Sequence, residues 1–72
     1  MYGMIEVFKT NVRQNKQAVM LLKVLLHHFP LTKINFDLND CDKVLRVEGE
    51  NICTRTIVEL LNSNGYQCQV LE

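Results

Sequence analysis

The sequence predicts an α+β domain, and three observations carry that prediction. Lys33 to Asn39 and Lys43 to Glu48 alternate apolar with polar residues, the signature of strands with one dry face. Between Ala18 and Phe29 the apolar residues follow helical spacing instead. The order strand-helix-strand is then written a second time within the 72 residues.

Met4 to Thr10 reads as the first strand, with Ile5 and Val7 on one side and Glu6 and Phe8 on the other. A polar loop follows, and the first helix begins between Val12 and Lys16. Two caps present themselves: Asn11, with Gln14 three residues on in the manner of a capping box, and Asn15. Ala18, Leu21, Leu22, Leu25 and Phe29 form the core stripe. His27 and His28 occupy the last turn, and Pro30 ends the helix.

The second strand, Lys33 to Asn39, points Ile34, Phe36 and Leu38 inward. Asn39-Asp40-Cys41-Asp42 is a turn by composition. The third strand, Lys43 to Glu48, turns Leu45 and Val47 inward and Arg46 and Glu48 outward, so the two runs make a hairpin. Asn51 is the expected cap of the second helix, whose inward stripe is Cys53, Ile57, Leu60 and Leu61. Gly65 is the expected left-handed stop. Tyr66 to Leu71 is the last strand, with Tyr66, Cys68 and Val70 sharing a face.

The order is therefore βαββαβ. Two right-handed crossovers and one hairpin give a four-stranded antiparallel sheet with two helices on one face, a ferredoxin-like plait. The whole chain, residues 1–72, is expected to be one such domain. The alternation assigns Glu6, Phe8, Asn35, Asp37, Val44, Arg46, Glu48, Gln67 and Gln69 to the open face.

Eight basic and eight acidic residues give a formal net charge of zero. Phosphate binding is driven by an excess of Lys and Arg, so nucleic acid is not an expected partner. RNA-recognition plaits stack bases on aromatics of the open face, where this reading finds only Phe8. Nor does the charge support an anionic membrane surface. No apolar stretch reaches the roughly 18–20 residues that span a bilayer. The stretch from Met1 to Glu6 lacks the pattern of a signal peptide, and a cytoplasmic location is expected. Three cysteines at irregular spacing, Cys41, Cys53 and Cys68, are no disulfide framework and fit a reducing compartment.

Three stretches carry a resemblance to a known family. They are Phe29-Pro30-Leu31 followed by Ile34-Asn35-Phe36-Asp37-Leu38, the strand Val44-Leu45-Arg46-Val47-Glu48, and the ending Ile57-Val58-Glu59-Leu60-Leu61 with Gly65-Tyr66-Gln67-Cys68-Gln69-Val70. Over essentially its whole length the chain resembles the heavy-metal-associated domain of copper chaperones and metal-pumping ATPases. The resemblance implies the same plait, and a metal site of two cysteines spaced CxxC between first strand and first helix. Counted back from Phe29-Pro30, those cysteines would fall near Asn15 and Ala18, or one residue earlier at Gln14 and Gln17. None is a cysteine, and a soft ion such as Cu(I) needs thiolate or thioether ligands. The family's Gly-Met-Thr lead-in is absent as well. The expectation is a degenerate member without metal or other cofactor, and not an enzyme. No catalytic constellation or Gly-rich phosphate loop is present.

Several residues remain as site candidates. Thr10, Asn11, Arg13 and Tyr66 surround the vacated position. Lys9, Arg13 and Lys16 near a helix N-terminus offer a weak anion site, set against a solvated loop. Cys41 is the alternative metal ligand, although flanking Asp40 and Asp42 disfavour a thiolate. Cys53 and Cys68 are expected as core fillers. His27 and His28 point about 100° apart on a helix and do not readily share an ion. Val19, Met20 and Val24 widen the apolar arc of the first helix. They either pack beside the second helix or form a surface for a protein partner or self-association. The second and fourth strands, as sheet edges, are further places for another chain to pair.

Overall fold

The computed structural model describes residues 3–71. Met1 and Tyr2, part of the N-terminal stretch read above, and Glu72 lie outside the described residues. The elements are β1 (Met4–Thr10), α1 (Asn15–His28), β2 (Lys33–Asp37), β3 (Val44–Gly49), α2 (Thr54–Ser63) and β4 (Cys68–Val70). The strands form one antiparallel sheet in the order β2-β3-β1-β4. This is the ferredoxin-like plait. α1 packs over β2, α2 over β4, and the two helices touch. No helix is long and apolar enough to cross a membrane among the described residues.

The core lies between the helices and one face of the sheet. Leu21 and Leu25 from α1 and Ile57 and Leu61 from α2 meet Phe8, Leu45 and Val47, and all seven are fully buried. The cross-strand pairs Phe8 with Leu45 and Phe8 with Val70 fix the register of this face.

That register overturns the expected parity of β1. Phe8 and Thr10 point into the core, with half-buried Glu6 on the same side, while Ile5, Val7 and Lys9 face outward. Both parities of Met4-Ile5-Glu6-Val7-Phe8 carry apolar residues, so alternation alone does not choose. Burying the large Phe8 ring against Leu45 does. Phe8 and Glu6 therefore leave the open face, and Ile5, at 59% exposure, joins it. The described open face carries no aromatic ring.

The caps also differ from expectation. α1 is capped at Gln14, in extended conformation, and Gln17 Oε1 accepts hydrogen bonds from the backbone amides of Gln14 and Arg13, each 3.3 Å. Neither Asn11 nor Asn15 is the cap. α2 is capped by Cys53 rather than Asn51, which sits at φ 55° two residues earlier. Cys53 is accordingly exposed and not a core filler. Ile52 before it is buried with Ile57, the pair that forms a hydrophobic staple at a helix start. Gly65 stops α2 at φ 90°, as expected.

Candidate functional site

Three connections meet at one end of the sheet: the β1–α1 loop, the β2–β3 turn and the α2–β4 turn. Thr10 ties the first two together. It is buried, its Oγ1 donates to the carbonyl of Lys43 at 2.5 Å and accepts from the amide of Val12 at 3.2 Å, and its own amide donates to the carbonyl of Asp42 at 3.0 Å. Asn11 ties in the third, its Oδ1 accepting from the amide of Gln67 at 2.8 Å. Val12 plugs the loop from within and is fully buried.

The positions at which the resemblance would put cysteines are Asn15 and Ala18, or Gln14 and Gln17, and they lie at the start of α1. Asn15 is exposed as the first residue of α1, and Ala18 is buried in the core. Arg13, Gln14 and Lys16 are exposed, and Gln17 is used in the cap. Tyr66 is half-buried, packed against the core, with its amide donating to the carbonyl of Leu61 at 2.9 Å. The donors of this loop are amide and hydroxyl groups, which do not fit a soft cation.

Cys41 lies in the neighbouring turn and is exposed. One ligand atom each from Asp40, Cys41 and Asp42 lies within 4.8 Å of the others. Part of this geometry is the turn itself. Asp40 Oδ1 accepts from the amide of Asp42 at 2.9 Å, and Lys43 is held at φ 47°. Lys9 Nζ stands 3.8 Å from Asp42 Oδ1, both side chains being solvent-screened. Lys43 Nζ turns away to the carbonyl of Leu38 at 2.9 Å.

The other cysteines divide by environment. Thr56 Oγ1 donates to Cys53 Sγ at 3.2 Å, which holds that thiol below its ordinary range. Burial pushes the Cys68 thiol up to about 12, as suits a core residue. His27 and His28 stand edge to face, 5.7 Å between ring centroids, at the end of α1 away from Cys41. Among the described residues no other His, Cys, Asp and Glu side chains gather three ligand atoms.

The apolar arc of α1 does not disappear into the helix interface. Val19 is 51% exposed and Met20 44%, so neither packs beneath α2, while Val24 is half-buried. Leu26, 40% exposed and seven residues after Val19, belongs to the same surface and was marked by that spacing. No family model, curated protein or solved structure matches the chain.

Proposed function

We propose that this chain is a heavy-metal-associated-type plait that has given up its metal loop and works as a non-catalytic binding and assembly module. The observation that carries the assembly role is the apolar surface left open on α1, formed by Val19, Met20 and Leu26 beside a filled core. The loop supports the other half of the reading: it holds no thiol, and Val12 is buried while Thr10 and Asn11 spend their side-chain oxygens on backbone amides of the chain itself. A cytoplasmic location belongs to the same reading and is consistent with free Cys41, Cys53 and Cys68.

A titration of the reduced protein with Cu(I) and Zn(II) against a competing chelator tests the first half. The expected result is no metal retained at micromolar concentration. Stoichiometric retention overturns it. Light scattering and partner capture, with the Val19→Glu/Met20→Glu variant as comparison, test the second half. A monomer that retains no partner through α1 overturns the assembly role.

The second reading is metal handling through Cys41, favoured by the proximity of Asp40, Cys41 and Asp42. One thiolate and two carboxylates suit Zn(II) better than Cu(I). It predicts Zn(II) affinity that falls when Cys41→Ser is introduced, and unchanged affinity in that variant sinks it.

A further inference from the structure

We infer that two copies of this chain join side by side along β2, extending the four-stranded sheet to eight strands. This rests on the assembly reading above and names its partner as a second copy.

The first observation is a free edge. β2 pairs only with β3, so half of its backbone donors and acceptors face outward. It runs five residues, against three for β4, the other edge.

The second observation is self-complementarity. β2 reads Lys33-Ile34-Asn35-Phe36-Asp37, with Lys33, Asn35 and Asp37 exposed on the open face and Ile34 and Phe36 half-buried on the helix face. An antiparallel pair centred on Asn35 sets Lys33 against Asp37 of the second copy, twice by symmetry. It sets Ile34 against Phe36 of the second copy, also twice. Among the described residues neither Lys33 nor Asp37 is in an ion pair within its own chain. Charged side chains on an edge commonly deter pairing with another chain. Here the opposite signs at the two ends attract one instead.

The third observation comes from α1, which lies over β2. In a right-handed β1–α1–β2 crossover, helical rotation places Val19, Leu22 and Leu26 on the flank away from α2, above the free edge. Their spacing of three and four residues makes a continuous apolar seam. The exposed Val19 and Leu26 and the half-buried Leu22 therefore sit on the same side of the molecule as the charge-matched edge. With strands about 4.8 Å apart, a two-fold axis beside β2 brings the α1 helices to roughly 10 Å, an ordinary helix-packing distance. The interface is isologous, and edge and seam are covered by the same operation.

Sedimentation equilibrium in the presence of chelator, from micromolar to millimolar chain, tests this. The expected species has twice the 8.4 kDa of one chain. Asp37→Lys sets like charges opposite each other and should weaken the dimer on the order of ten-fold. Lys33→Asp combined with Asp37→Lys should restore it. Leu26→Glu should weaken it while leaving the circular dichroism spectrum, and the melting at dilutions where the parent is monomeric, intact, since Leu26 is exposed in the single chain. Hydrogen exchange at β2 amides should slow as chain concentration rises. A monomer at millimolar concentration overturns the inference, as does a dimer indifferent to both Asp37→Lys and Leu26→Glu. A dimer that forms only with added metal overturns the loss of the metal site as well. A monomer that binds another protein through α1 overturns this inference alone.

Discussion

The side-chain oxygen of Asn11 accepts the backbone amide of Gln67 at 2.8 Å, joining the β1–α1 loop to the start of the last strand across 56 residues of sequence. The contact ties the β1–α1 loop to the α2–β4 turn at one end of the sheet. Asn11→Ala removes the acceptor at a solvent-exposed position, where water replaces part of the bond. The expected loss is about 0.5–1.5 kcal/mol, read as a lower urea midpoint with unchanged slope. Asn11→Asp, which keeps an acceptor, should lose less.

Thr10 is the more sensitive position at this end. Its hydroxyl is buried and serves both the carbonyl of Lys43 and the amide of Val12. Thr10→Val keeps the shape and leaves both groups without a partner, at a cost of about 1–3 kcal/mol. Thr10→Ser keeps the hydroxyl and should stay closer to the parent. In a domain this small each kcal/mol moves the melting temperature by about 4–8 °C, so a thermal melt separates the two variants.

The thiols differ in accessibility. At neutral pH Cys41 and Cys53 react with an aromatic disulfide reagent in the folded protein, and Cys68 reacts only once the chain is unfolded. Cys53 reacts at lower pH than a free thiol, and Thr56→Val moves that profile upward by removing the hydrogen bond to Sγ.

Cys68 also makes stability depend on alkaline pH. Its folded value is raised from 9.0 to about 12, so the folded chain keeps a proton that the unfolded chain loses first. Above pH 9 the unfolded state binds fewer protons, and the slope of unfolding free energy with pH is negative. The contribution is fully present below pH 9 and is lost progressively as pH rises toward 12. Denaturation midpoints across that range should fall, and Cys68→Ala should flatten the dependence.

Gly49 closes β3 against Thr32. A Cβ built at Gly49 would lie 2.8 Å from Thr32 Cγ2, while the Thr32 hydroxyl is held by its 2.7 Å hydrogen bond to the carbonyl of Phe29. Gly49→Ala should cost about 1–2 kcal/mol as an overpacked contact. Thr32→Ser removes the clashing methyl and keeps the hydroxyl, so the double variant should recover most of the loss in the same denaturation assay.

The sequence by itself determined the order of elements and the faces of most of them. Ile34 and Phe36, Leu45 and Val47, and the helical spacing of Leu21, Leu25, Ile57 and Leu61 each point to one period and one buried side. Where both parities were apolar, as in Met4 to Phe8, local pattern had no preference, and the pairing of Phe8 with Leu45 and Val70 chose the face. Val12 and Ile52 lie outside any periodic run, so their complete or near-complete burial depended on where the connections cross the core. The caps at Gln14 and Cys53 followed from where each helix enters that core, not from the strongest capping residue nearby. That the β1–α1 loop holds no cysteine was legible in the sequence. That the loop is filled by Val12 and tied by Asn11 to Gln67 was decided by tertiary structure, because it joins residues far apart in the chain. The open arc of α1 divides in the same way. Its apolar residues are written in the sequence, but their exposure depends on how α1 is set on the sheet and beside α2, which leaves Val19, Met20 and Leu26 uncovered.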